Sequence, residues 1–140
     1  MPWDCADTFG KNIVSKKPGQ AHLCQWPLKM TKLPAISPYL HHAHLLVAAD
    51  CSAFSYSHFH AALLKERVLI IGCPESDGDW FSSKLQQIIR LNDIESIAVV
   101  RMDAPCCKSL ANAVIEAVRL SSKDIPIQLT TVFTEGEVIS

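Results

Sequence analysis

No apolar run in this chain reaches the roughly 18 residues that suggest a membrane-crossing helix. Neither sign of charge gathers into long blocks, and the formal net charge is −1. Without a basic surface to neutralise phosphates, nucleic acid is not an expected partner. The first residues lack the apolar stretch of a signal peptide. That points to the cytoplasm, where thiols stay reduced, and away from a disulfide scaffold. Several catalytic signatures are missing too. There is no P-loop with its Lys-Ser/Thr ending, no dinucleotide fingerprint and no Gly-x-Ser-x-Gly elbow. There is no internal repeat.

What remains is a chain of 140 residues, 49% apolar and 19% charged, which suits one domain with one sizeable core. Residues 1–24 mix Trp3, Cys5, Lys11, Lys16, Lys17, Pro18 and Gly19 without a period, and are read as an irregular lead-in to a single domain over 25–140. Alternation predicts a strand at 27–33, with Pro27 at its start or on an edge, and further strands are predicted at 45–49, 67–72, 96–102 and 127–133. Between them fall a short helix at 38–42 opened by Pro38, and a helix at 55–65 capped by Ser55 with Phe59, Ala62 and Leu63 inward. Two further helices follow. One, at 79–92, has Phe81, Leu85, Ile88 and Ile89 inward; the other, at 106–121, has Leu110, Ala113, Val114, Ala117 and Val118 inward. Strands alternating with helices indicate a three-layer α/β sandwich around a mostly parallel sheet of about five strands, flavodoxin- or Rossmann-like. Strand order is not legible at this level.

Against this frame the cysteines stand out. Cys51 follows the run Leu45-Leu46-Val47-Ala48-Ala49-Asp50, Cys73 follows Val68-Leu69-Ile70-Ile71-Gly72, and Cys106 and Cys107 follow Ile97-Ala98-Val99-Val100-Arg101-Met102 after an Asp-Ala-Pro turn. If the three runs are neighbouring parallel strands, all four thiols fall at the carboxyl edge of one sheet, where open α/β folds place their ligands. A free cysteine is often just a small buried hydrophobe. Three strand ends carrying cysteine, one of them doubled, point instead to soft-metal chemistry. Four thiolates suit tetrahedral zinc or a four-iron cluster equally in type. The adjacent pair Cys106 and Cys107 favours the cluster, whose several iron corners can each take one thiolate. A helix opening at Cys107 would present free N–H groups and a positive dipole to thiolates or a bound anion. Cys5 and Cys24 are weaker candidates. His41, His42 and His44 resemble a metal tract, though such clusters are more often polar helix ends. His58 and His60 lie two apart, off the spacing of a zinc-protease helix, and suit at most a hydrogen bond to a cluster sulfur.

The segments Gln25-Trp26-Pro27-Leu28, Ala48-Ala49-Asp50-Cys51, Ile71-Gly72-Cys73-Pro74 and Val99-Val100-Arg101-Met102-Asp103-Ala104-Pro105-Cys106-Cys107 together resemble the C-terminal domain of ferredoxin-like iron–sulfur proteins of anaerobic bacteria. The likeness spans about 25–139, and its sharpest piece is the Arg-Met-x-x-Pro-Cys-Cys run. Two departures are visible. The Cys-x-x-Cys-x-x-Cys-x-x-x-Cys run of the ferredoxin half is absent, and Lys108 and Ser109 stand where that family tends to have two glycines.

The resulting expectation is an iron–sulfur (4Fe–4S) or related metal-binding, electron-transfer module. Cys51, Cys73, Cys106 and Cys107 ligate, Arg101 and the helix start offset negative charge, and a partner such as a ferredoxin supplies electrons. One alternative is a metal-free interaction or scaffold domain. Another is a zinc enzyme laid out like β-type carbonic anhydrases, with Cys51, His58 or His60, and Cys73 as ligands, although the Cys-x-Asp-x-Arg and His-x-x-Cys pairings of those enzymes are missing.

Overall fold

The computed structural model describes residues 21–140. The predicted lead-in at 1–24 lies mostly outside them; residues 21–24 carry no helix or strand. A five-stranded sheet runs in the order β2-β1-β3-β4-β5, with β1 at His44–Ala49, β2 at Val68–Gly72, β3 at Ser96–Met102, β4 at Ile127–Val132 and β5 at Val138–Ile139. β1 is parallel to both β2 and β3, and β3 is parallel to β4. Only β5 is antiparallel, returning along β4. Along β1 every residue after His44 is buried, as expected of a central parallel strand covered on both faces.

Among the described residues four α-helices accompany the sheet: α1 (Ser52–Ser55), α2 (Pro74–Asp77), α3 (Asp79–Leu91) and α4 (Lys108–Ser121). In α3 the residues Phe81, Leu85, Ile88 and Ile89 are buried at helical spacing. α4 buries Leu110, Ala111, Val114, Ala117 and Val118. Ala111 takes the inward place expected of Ala113, which is half-buried. α3 and α4 pack on each other, and α4 packs on β3. Both therefore share one face of the sheet. Two anchors close this layer. Asn92 donates from Nδ2 to the carbonyls of Ile88 and Ala35 at 2.9 and 2.6 Å. Lys123 donates from Nζ to the carbonyls of Ile89, Arg90 and Asn92 at 2.7, 3.2 and 3.0 Å, capping the C-terminus of α3.

Several elements differ from their expected form. The strand expected at 27–33 is a single bridge, Lys29 beside Ile71 on the outer side of β2. The backbone then turns, with Lys32 N–H and Leu33 N–H donating to the Lys29 carbonyl. Met30 and Leu33 enter the core three residues apart, a turn spacing that reads as loose alternation in the sequence. The sheet still has five strands because the β5 hairpin supplies one. The short helix at 38–42 is a 3-10 turn, Pro38–Leu40.

The expected 55–65 helix is split. Ser55 does not cap it; its hydroxyl donates back to the Cys51 carbonyl at 3.1 Å. The chain is extended at Tyr56 and then forms a π-helical segment, Phe59–Leu64. The wider π turn lets Leu63 and Leu64 both follow Phe59 into the core, while Ala62 faces outward. Finally, Cys106 and Cys107 belong to a 3-10 turn, Pro105–Cys107, and α4 proper starts at Lys108.

Candidate metal centre at the carboxyl edge of the sheet

The chain leaves β1 for β2 in one direction and reaches β3 and β4 in the other. The order reverses between β1 and β3, and open α/β folds place their ligands at the carboxyl ends of the strands beside such a switch point. Cys51 lies two residues past the end of β1, Cys73 one past β2, and Cys106 and Cys107 in the 3-10 turn after β3. Because these three strands are adjacent and parallel, their ends share one edge. The structure thus brings Cys51, Cys73, Cys106 and Cys107 to that edge. Cys51 and Cys106 are exposed, Cys73 is half-buried and Cys107 is buried, and none is bridged. Burial is the main cause that pushes the Cys107 thiol above the ordinary cysteine range. A backbone hydrogen bond from Met102 opposes this, and the nearby thiols of Cys106, Cys73 and Cys51 raise it further. Cys107 thus feels the charge of the other three thiols.

The spacing distinguishes metal types. Among the described residues, no three of these sulfurs come within 4.8 Å of one another. Thiolates about 2.3 Å from one tetrahedral zinc would stand about 3.8 Å apart. A four-iron cluster takes its thiolates at separate iron corners and does not require that closeness. The same limit applies to the zinc-enzyme arrangement: Cys51, Cys73 and either His58 or His60 form no compact triad. His60 is engaged elsewhere, accepting at Nδ1 the backbone N–H of His22 at 3.0 Å. Of the weaker cysteine candidates, Cys24 is exposed and Cys5 lies outside the described residues.

Arg101 turns toward β4. Its Nε donates to Thr131 Oγ1 at 3.2 Å, and it lines a cleft of about 310 Å³ with Met102, Asp103, Ala104, Lys108 and Asn112. That cleft adjoins the Cys106–Cys107 turn through Ala104 and Lys108 but is lined by none of the four cysteines.

A basic residue missed in the sequence ties the loops together. Lys29 Nζ lies 2.8 Å from Asp50 Oδ2 and 3.7 Å from Asp77 Oδ2. Asp77 Oδ2 also accepts the backbone N–H of Cys73 at 2.9 Å. Partial burial pulls the Lys29 pKa down, but the hydrogen bond and charge of Asp50, with help from Asp77, outweigh it and leave the ammonium above its ordinary value. One cation thus joins the residue before Cys51 to the carboxylate that holds the backbone of Cys73. Asp50 and Asp77 stand near the cysteines in sequence, but nothing local marks Lys29. Gly72, just before Cys73, is required by packing: a Cβ there would lie 2.6 Å from Phe81 Cε2. Phe54 on α1 and Trp80 on α3 are 93% and 76% exposed, so the elements that follow Cys51 and Cys73 carry exposed apolar side chains.

The histidines lie at the other edge. His44 opens β1 and bonds through Nδ1 to Ser96 Oγ at 2.7 Å. His41 and His42 precede it, beside Asp93 and Glu95. A cleft of about 430 Å³ on this edge is lined by His44, Lys65, Arg67 and Ser96 among others. Among the described residues, no helix is long and apolar enough to cross a membrane.

Comparison with known proteins agrees with the architecture. An uncharacterized protein of Archaeoglobus fulgidus is 29% identical over 87 residues, 61% of this chain, and the chain spans 61% of that relative's length. No solved structure matches. Residues 37–140 match the Rossmann-like domain family, and with most of its length inside that match the chain belongs to that family.

Proposed function

We propose that this protein is a cysteine-ligated iron–sulfur, or related metal-binding, redox module. The observation that carries the reading is the delivery of four thiols by three adjacent parallel strands to one edge of the sheet, with no three sulfurs within 4.8 Å of one another among the described residues. The resemblance to the C-terminal domain of ferredoxin-like iron–sulfur proteins supports it. Cys51, Cys73, Cys106 and Cys107 hold the cluster, which when bound supplies one-electron transfer. Lys29 positions the Cys51 and Cys73 loops through Asp50 and Asp77. The positive end of the α4 dipole, which begins just past Cys107, and Arg101 beside the Cys106–Cys107 turn offset the negative charge of four thiolates. A cytoplasmic electron donor such as a ferredoxin approaches the exposed faces of Phe54 and Trp80.

The test is anaerobic purification and reconstitution of the full chain with iron and sulfide. Broad visible absorption, with iron and acid-labile sulfide in near-equal amounts, is expected. Colourless, iron-free protein after reconstitution would overturn the reading in favour of a metal-free scaffold.

A further inference from the structure

The amino edge of the sheet carries a group of side chains for which the cysteine site has no use. We infer that His41, His42 and Asp93 form a separate binding site for a divalent cation that prefers imidazole, such as zinc or nickel. Each residue contributes one potential ligand atom, and the three atoms lie within 4.8 Å of one another. Among the described residues no other group of three or more histidines, cysteines or acids reaches that compactness. Two imidazoles and a carboxylate are a donor set suited to zinc, nickel or copper. All three residues are exposed, so the remaining coordination positions are open to water or a ligand.

Local backbone geometry creates the convergence. The 3-10 turn Pro38–Leu40 ends with Leu40 buried, which fixes where the next two residues emerge. His41 is extended, and His42 has φ 55°, a left-handed conformation seldom used by residues with a side chain. The two rings come together at a centroid separation of 3.9 Å. Asp93 arrives from the loop after α3. Two bonds join this loop to the segment carrying the histidines: Asn92 Nδ2 donates to the Ala35 carbonyl at 2.6 Å, and Glu95 N–H donates to the Ala43 carbonyl at 2.8 Å. Both halves of the site are therefore positioned by contacts that do not involve the ligand atoms. Asp93 Oδ2 already stands 3.7 Å from His41 Nδ1.

Glu95 is a second, independent pointer. Its Oε1 lies 3.0 Å from His42 Nδ1. A carboxylate on one ring nitrogen fixes the tautomer and orientation of a ligating imidazole and makes it a stronger donor. A cleft of about 370 Å³, lined by Ser37, Pro38, His41, Asn92 and Asp93 with two apolar neighbours, adjoins the group and leaves room for water or a small ligand on the cation. The site lies one strand length, about 20 Å at 3.3 Å per residue, from the cysteines. It shares no ligand with them.

The experiment is a zinc titration of the full chain, read on the histidine ring resonances by NMR, because the thiols also attract zinc and a bulk binding curve would mix the two sites. The rings of His41 and His42 are expected to shift together and saturate with one equivalent at their site. H42Q is expected to weaken that saturation at least tenfold, with D93N weakening it as well. H44Q, at the neighbouring position bonded to Ser96, is expected to leave it unchanged. Unmoved His41 and His42 resonances at millimolar zinc, or an H42Q protein whose His41 titrates as in the wild type, would overturn the site. Neither result depends on whether the cysteines bind iron.

Discussion

The two edges of this one sheet differ in kind. The carboxyl edge gathers four thiols, one of them buried, over an ion pair network that joins three segments distant in sequence. The amino edge gathers exposed imidazoles and carboxylates, held in short-range pairs on the turn before β1 and the loop before β3. Parallel topology produces the sorting. When every central strand points the same way, whatever follows the strands meets at one edge and whatever precedes them meets at the other. Soft ligands placed after strands and imidazoles placed before them are thus separated without any contact between the groups. The carboxyl edge includes the switch point between β1 and β3, where open α/β folds place their ligands; the amino edge carries clefts of about 430 and 370 Å³.

The sharpest way to break this comparison is to exchange ligands on one edge and read metal on both. Serine at Cys51, Cys73, Cys106 or Cys107 is expected to remove most of the reconstituted iron and sulfide. The H41Q/H42Q pair is expected to leave both unchanged. Iron content unaltered in C106S and C107S would dissolve the distinction between the edges.

Stability should also respond on both sides. G72A forces a methyl group against Phe81 beneath the cysteine edge, and overpacking of this kind costs about 1–3 kcal/mol. Urea unfolding measures it, and an unchanged midpoint would mean that Phe81 moves aside freely. At the amino edge, K123M removes the ammonium that caps three carbonyls at the end of α3. A loss of about 1–2 kcal/mol is expected from charge-assisted bonds at a helix C-terminus. A loss as large as that of G72A would show the two edges to be equally braced.

The smallest effect concerns His60. Burial, and secondarily the charge of His22, hold its pKa below the ordinary 6.5. The unfolded chain therefore binds a proton before the folded one does. The associated stability is fully present above 6.5 and falls as pH drops from there toward the lower folded value. Unfolding midpoints measured at about pH 7.5 and about pH 5.5 should differ less in H60Q than in the wild type. An equal difference in both proteins would assign the pH response elsewhere.

Much of the architecture was legible because it rests on local pattern. Apolar runs marked β1, β2 and β3 within a residue, β4 was placed as closely, and the stripe of Phe81, Leu85, Ile88 and Ile89 marked α3. The segment around Lys29 was misread because one bridge followed by a turn produces the same loose alternation as a strand. The π turn at Phe59–Leu64 escaped because adjacent buried Leu63 and Leu64 do not fit the 3.6-residue period. At the candidate site, the positions of the cysteines after the runs were visible, whereas Lys29 was not, since its partners Asp50 and Asp77 lie 21 and 48 residues away.

By itself, then, the sequence determined which residues follow the strands and which precede them, because burial periodicity is a property of short windows. Only the tertiary structure decided that β1 lies between β2 and β3, that the fifth strand is a C-terminal hairpin, and that Asp93 meets His41 and His42. Those outcomes depend on pairing between segments tens of residues apart, where hydrogen-bond registry and the packing of α3 against α4 choose among arrangements that any local window permits equally.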